Sequence, residues 1–428
     1  MVRRGWEDAV GQVRSRTTDD ERLLRLAVSL SKEARPQYGW VRLGEGFSVR
    51  MAEELLADPG ERVLDPFAGC GTTLIASARM GKRATGIELM PLCNARFEHL
   101  RSWPSMDLEL LARQADLIRN MKIFDDVVPG ELPTDPTFGL GRDDLAAAVS
   151  MRSFLASLPS MPEKTMLQAV MLMALQDRRR TFGASVRPKR DGGISAKLDK
   201  VPRFLSLESA FALHLTKSLI QLVELEESRG WDDLEGQEMV SGSAMDVLPT
   251  LPGSEFDQVL TSPPYFNGFD YPQEYALEHW FLGLEDDLEH ARTMFLPTGG
   301  GMSKASRIEL DMATRKWAKE GMDLVDLLHG EEVMPEERSA FATYLLHLSN
   351  VMKQLSRTIK PDGKITFVID DAYVGEMIVP IDVALSIVGE EHRLTVDEVS
   401  RYGKENETTT SRLRLERQRT AVISWKKG

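Results

Sequence analysis

Two short stretches of this 428-residue chain combine residue types that could do chemistry. The first is Asp65-Pro66-Phe67-Ala68-Gly69-Cys70-Gly71-Thr72-Thr73, which follows the apolar Arg62-Val63-Leu64 and runs into the helix-forming Leu74–Met80. Strand, glycine loop and helix in that order let a ligand approach the backbone closely. Gly81 supplies a stop for the helix. Arg83-Ala84-Thr85-Gly86-Ile87 then reads as a second strand ending on Glu88, 23 residues after Asp65. A doubly wound sheet places its ribose-binding carboxylate about 20 residues beyond the first loop. A dinucleotide loop would carry Gly or Ala three residues after Gly71, and Leu74 stands there. The loop suits a cofactor without a pyrophosphate, and S-adenosylmethionine, whose amino-acid end lies against such a loop, fits. Taken alone, the stretch could equally be a tight turn that binds nothing.

The second stretch is Phe256-Asp257-Gln258-Val259-Leu260-Thr261-Ser262-Pro263-Pro264-Tyr265. An apolar strand runs into two prolines, which cannot continue a ladder, so the chain must turn rigidly at the strand's carboxyl end. Ligands of open α/β sheets bind at such ends. A stiff connector would look the same, but its pairing with the glycine loop weakens that reading.

The elements around these stretches are legible in outline. Phe341, Tyr344, Leu345, Leu348, Val351, Met352, Leu355 and Ile359 recur at three- and four-residue steps and predict an amphipathic helix whose stripe is core packing. Thr420–Trp425 reads as a last strand and Arg393–Val399 as its hairpin partner. Asp65 and Ser262 are 197 residues apart, whereas three βα units of ~30 residues would need about 90. The surplus defines a mainly helical insertion over 101–235, a candidate target-recognition region, between core parts 1–100 and 236–428. A second insertion, near 285–335, carries a glycine-rich run at 299–301. Within the first insertion, Arg178–Arg203 holds nine Lys or Arg against two Asp, a local balance of +7.

Composition narrows the classes. The 42 % hydrophobic and 28 % charged residues suit a globular protein with a substantial core. No apolar run near Met1 is long enough for a signal peptide or membrane span, so the cytoplasm is the expected location. Two cysteines, Cys70 and Cys93, and seven scattered histidines suit neither a disulfide framework nor a metal site, and no metal is expected. The net charge of −13 argues mildly against nucleic acid. A local stripe can override it. Arg178, Arg179, Arg180, Arg187, Lys189 and Arg190 are accordingly candidate phosphate contacts, with a solvated loop as the plain alternative.

The glycine loop and Thr261-Ser262-Pro263-Pro264-Tyr265 together resemble the cofactor and catalytic motifs of amino-group DNA methyltransferases. The Ser-Pro-Pro-Tyr form is similar to the N4-cytosine members; N6-adenine members more often carry Asp or Asn where Ser262 stands. Gly46-Phe47-Ser48 resembles the segment that closes over the methionine end of the cofactor. Gly242–Asp246 resembles the third cofactor motif, whose acid reaches the adenine, and Pro361–Asp370 the turn and fifth strand. The resemblance implies a Rossmann-like α/β sheet ending in an antiparallel hairpin. It also implies cofactor contacts from Phe47, Ser48, Asp65 through Thr73, Glu88 and Asp246, and catalysis by Ser262, Pro263, Pro264 and Tyr265.

The implied chemistry is methylation of an exocyclic base amine. That nitrogen is a poor nucleophile because its lone pair is delocalised into the ring. The Ser262 side chain and the Pro263 carbonyl would accept from its hydrogens, and Tyr265 would stack on a base flipped from the duplex. Cytosine N4 in double-stranded DNA is the favoured target, and a cognate restriction nuclease in the same system is the partner such an enzyme can have. Adenine N6, a guanine amine in RNA, and an inactive DNA-binding subunit are the alternatives. Carbon-5 methylation would need a Pro-Cys turn, which neither cysteine provides.

Overall fold

A computed structural model describes residues 47–120, 139–181, 206–266, 270–295, 335–403 and 419–428, with breaks at 229, 293 and 375–376, and parts of 13–26. In chain order the N-terminal elements are β1 (Thr17–Asp19), α1 (Val49–Leu55), β2 (Arg62–Asp65), α2 (Thr72–Arg79), β3 (Arg83–Glu88) and α3 (Pro91–Ser102). Four helices follow: α4 (Leu108–Asn120), α5 (Arg142–Ser157), α6 (Pro162–Thr181) and α7 (Leu207–Ser228). Then come β4 (Glu238–Ser241), α8 (Ala244–Val247), β5 (Phe256–Thr261), α9 (Tyr271–Glu274), α10 (Ala276–Leu282) and α11 (Glu285–Arg292). The last group is α12 (Pro335–Thr358), β6 (Ile359–Asp370), β7 (Ala372–Val374), β8 (Met377–Val379), α13 (Ile381–Glu391), β9 (Leu394–Gly403) and β10 (Arg419–Lys427).

Eight strands form one sheet in the order β1-β9-β10-β6-β5-β2-β3-β4. The run β4-β3-β2-β5-β6 is parallel, and β10 lies antiparallel between β6 and β9. That is the Rossmann-like sheet with a C-terminal antiparallel hairpin expected from the sequence. Strands β2, β3 and β4 wind one way and β5 and β6 the other, so the winding reverses between β2 and β5. A crevice at the carboxyl ends of two such strands is where doubly wound sheets bind ligands.

The parallel strands are apolar on both faces because helices cover both. Successive residues point to opposite layers: Val63 and Leu260 into one core, Leu64 and Val259 into the other. The stripe of α12 fills the second core, with Phe341, Tyr344, Leu348 and Leu355 fully buried. Helices α4–α7 pack into the first core together with Phe97 and Trp103, and the Trp103 indole donates to Thr165 Oγ1 at 2.9 Å. The helical region thus extends one layer of the sheet and shares its core.

Candidate active site

The site is organised around one buried carboxylate at the switch point. Asp65, 2 % exposed, ends β2. Its Oδ1 accepts from Thr261 Oγ1 at 2.5 Å and from the Phe67 amide at 3.0 Å, and its Oδ2 from Thr73 Oγ1 at 2.6 Å. Three donors from three elements therefore meet on one side chain: the last residue of β5, the glycine loop and the first turn of α2. Burial pushes the Asp65 carboxyl up to about 6, with the bonds from Thr261, Thr73 and Phe67 acting against that rise. Three of the four acceptor sites of this carboxylate are taken by the protein, and Asp65 thereby holds the loop and the neighbouring strand together.

Glu88 sits at the end of β3, half-buried, with Oε2 accepting from the Gly69 amide at 2.7 Å and Oε1 from the Met90 amide at 2.6 Å. Burial raises it to about 7, against the pull of those two amides. A carboxylate offers four acceptor sites in all, and the backbone amides of this corner leave one of them for a ligand hydroxyl. Asn94 fastens the same corner, donating to the Glu88 and Met90 carbonyls at 3.0 and 3.2 Å. Gly71 has φ +85° and faces Phe97, which a Cβ would meet at 2.5 Å. Gly69, at φ +53°, faces open space with nothing within 4 Å of where a Cβ would stand. The loop therefore presents an uncovered backbone beside a half-buried Phe67, a carboxylate with a free lone pair and the amide end of α2. Those features fit S-adenosylmethionine: a ribose hydroxyl for Glu88, an apolar surface at Phe67 and backbone for the amino-acid end.

The Ser262–Tyr265 turn follows Thr261 without a break. Pro263 is buried, and Ser262, Pro264 and Tyr265 are half-buried. The Ser262 hydroxyl donates to the Tyr265 hydroxyl at 2.8 Å, which leaves the Ser262 oxygen as an acceptor. The Tyr344 hydroxyl donates to the Pro264 carbonyl at 2.9 Å, and burial holds its phenol far above the usual range. Phe266 packs edge-on against Phe341 at 5.2 Å and tilted against Tyr344 at 5.4 Å between ring centres. Helix α12 thus braces the turn from behind. Tyr344 was legible only as a member of an apolar stripe, because periodicity locates a face and is blind to what a polar tip reaches.

Other expected site residues lie as follows. Ser48 is fully buried and N-caps α1, accepting from the Met51 amide and donating to the Leu26 carbonyl, both at 3.0 Å. Its hydroxyl is occupied, and Phe47 is 6 % exposed within the first core, so neither side chain is presented to a ligand as expected. Pro66 and Ala68 are buried in the loop, Thr72 is half-buried at the start of α2, and Asp246 is exposed on α8 beyond the end of β4.

Arg178 and Arg179 are a correction. They are 6 % and 8 % exposed, and Arg178 pairs with Asp144 at 2.7 Å. Arg179 donates to the Glu274 carbonyl at 2.8 Å and lies 3.9 Å from Glu278. Both tie α6 to neighbouring elements and cannot meet phosphates. Arg187, Lys189 and Arg190, and the Arg180 side chain, lie outside the described residues. His279, which sequence reasoning missed, is fully buried and links α10 to α3: its Nδ1 bonds the Tyr275 carbonyl at 2.8 Å, and Nε2 accepts from the Leu92 amide at 3.3 Å. Among the described residues no group of three or more His, Cys, Asp or Glu could hold a metal, and no helix is long and apolar enough to cross a membrane.

Comparison with known proteins bears on this geometry. A family model described as DNA methylase, of the N6/N4 type, matches residues 48–93, the span from the cap of α1 through the loop to α3. The type II methyltransferase M.BsoBI of Geobacillus stearothermophilus is 24 % identical over 83 % of this chain and 78 % of its own length. The type II methyltransferase M.AvaI of Nostoc is 24 % identical over 89 % of this chain and 83 % of its own. Among solved structures, the rRNA methyltransferase AviRa of Streptomyces viridochromogenes aligns with 95 % of this chain and 94 % of its own at 10 % identity. Its TM-score of 0.28 carries no weight, and the fold assignment rests on the strand order.

Proposed function

We propose that the chain, which is similar to amino-group DNA methyltransferases, transfers a methyl group from S-adenosylmethionine to cytosine N4 in a specific duplex sequence. The observation that carries this reading is the double attachment of Asp65. One carboxylate joins the cofactor loop to the strand that delivers Ser262, so the two halves of a methyl-transfer site have a fixed relation. When bound, S-adenosylmethionine supplies an electrophilic methyl group on sulfur. Phe67, the Gly69 backbone, Glu88 and Asp246 would hold it. The Ser262 oxygen and the Pro263 carbonyl accept hydrogen bonds from the target amine, drawing its lone pair out of conjugation as positive charge develops. Tyr265 stacks on the flipped base while its hydroxyl keeps Ser262 oriented. Tyr344 fixes the turn through the Pro264 carbonyl, so these acceptors need not reorganise.

Ser262 favours cytosine because Asp or Asn is the commoner residue there in adenine enzymes. Arg187, Lys189 and Arg190 are the remaining candidates for phosphate contact. The type II methyltransferases among the relatives make a cognate nuclease in the same system part of the proposal. The test is mass spectrometry of nucleosides from duplex DNA incubated with the protein and labelled cofactor. Label in N4-methyl-2′-deoxycytidine, lost in Ser262→Ala with cofactor affinity retained, is the expected result. Label in N6-methyl-2′-deoxyadenosine would move the target to adenine, and label in RNA alone would overturn the DNA reading.

A further inference from the structure

Cys70 and Cys93 are the only two cysteines in the chain. The fold brings their sulfur atoms to 3.9 Å although 23 residues separate them. Cys70 stands in the glycine loop between Gly69 and Gly71 and is half-buried. Cys93 is 7 % exposed on the first turn of α3. We propose that the pair is an oxidation site, at which a peroxide converts the two thiols to an intramolecular disulfide that reshapes the loop and closes it to the cofactor. The consequence for ligand binding rests on the cofactor reading above; the site itself does not.

The geometry indicates which partner moves. A disulfide needs its sulfurs about 2 Å apart, so the gap must shrink by roughly half. Cys93 belongs to a twelve-residue helix whose Leu92, Phe97 and Leu100 are buried in the core. Cys70 lies on a loop whose Gly69 borders open space. Displacement therefore falls on Gly69 and Cys70. Gly69 is the residue whose amide donates to Glu88 at 2.7 Å, so closing the disulfide pulls on the bond that shapes the ribose corner.

The two thiols are also unequal. Cys70 is the more exposed, and its contacts with the Cys93 thiol and the Arg96 guanidinium hold it below the usual thiol range. Cys93 is pushed above that range by its partner and by burial. The thiolate is the nucleophile in such chemistry. Cys70 attacks one peroxide oxygen, the O–O bond breaks, and the departing hydroxide takes a proton to leave as water. Cys93 sulfur then attacks the resulting Cys70 sulfenic acid, the S–O bond breaks, and a second water leaves with the Cys93 proton. Two thiols lose two electrons and two protons, and one peroxide becomes two waters.

The experiment uses the full chain, reduced and then treated with hydrogen peroxide. Intact-mass spectrometry should show the loss of two hydrogens with no added oxygen. Calorimetry should show S-adenosylmethionine binding weakened about tenfold or more. Dithiothreitol should reverse both changes. Cys93→Ser, with Cys93→Ala as the apolar substitute, should bind the cofactor like the reduced wild type, show no loss of two hydrogens, and suffer no binding loss of the disulfide kind. Absence of that mass change in the wild type would overturn the site. A disulfide that leaves cofactor affinity unchanged would overturn its effect. Reduced wild type with no affinity for S-adenosylmethionine would instead sink the cofactor reading, while the mass change would still report the oxidation site.

Discussion

The glycine loop and the Ser262–Tyr265 turn lie side by side at the ends of β2 and β5, yet they are held in different ways. The loop is secured mainly by near neighbours in sequence: Asp65 by Phe67 and Thr73, Glu88 by Gly69 and Met90, Ala68 by the Ile87 carbonyl. The turn depends on distant ones. Thr261 reaches Asp65 across 196 residues and Pro264 is held by Tyr344 across 80. A motif can thus carry its own shape, or only the residues to be shaped, and the second kind is vulnerable far from itself.

The largest effect is expected where the two regions join. Asp65→Ala leaves the Thr73 and Thr261 hydroxyls and the Phe67 amide without their shared acceptor, a loss of about 3–4 kcal/mol in denaturant unfolding. A loss below about 1 kcal/mol would show that the regions are held independently. Next come the two glycines of the loop. Gly71→Ala combines a left-handed backbone with overlap on Phe97 and should cost about 3 kcal/mol of stability. Gly69→Ala meets open space and should cost about 1 kcal/mol. Its cofactor affinity should nonetheless fall, as calorimetry would show; equal stability losses would erase the distinction drawn between them.

A smaller effect concerns pH. Glu88 titrates at about 7 in the folded chain against an ordinary 4.5, so the folded protein holds a proton between those values that the unfolded chain has released. Its contribution to stability is therefore greatest at low pH and falls as pH rises toward 7. Cofactor binding runs the other way, because the ionised carboxylate is the better acceptor for ribose hydroxyls. Between pH 8 and 6 the affinity should drop by up to about tenfold, and Glu88→Gln should flatten that profile. Smallest is Tyr344→Phe, which removes one hydroxyl and should cost about 1 kcal/mol. Its distinguishing mark is a fall in kcat with KM for the cofactor unchanged, since the loop does not depend on α12.

Legibility in the sequence follows the same division. Strand, glycine loop, helix and the acid at Glu88 are local and could be read directly, as could the closing hairpin and the stripe of α12. Long-range pairing could not. Arg178 and Arg179 looked like part of a basic surface because a charge count registers sign alone. Their partners Asp144 and Glu278 lie 34 and 99 residues away, so nothing near them in sequence announces burial. Ser48 failed for a related reason: a serine before an apolar helix is also an N-cap, and the helix claimed its hydroxyl.

The position of β2 has a consequence for synthesis. It lies between β3, which follows 18 residues after it, and β5, which follows 191 residues after its last residue is made. At translation rates of about 5–20 residues per second, one edge of β2 waits roughly ten to forty seconds for its partner. Through that interval Asp65 has the Thr73 hydroxyl but not that of Thr261, and the apolar Val63 and Leu64 border an unpaired ladder. Helices α4–α7, which share the first core with Val63, are made during that interval, so changes that slow or destabilise them should lower the yield of soluble protein.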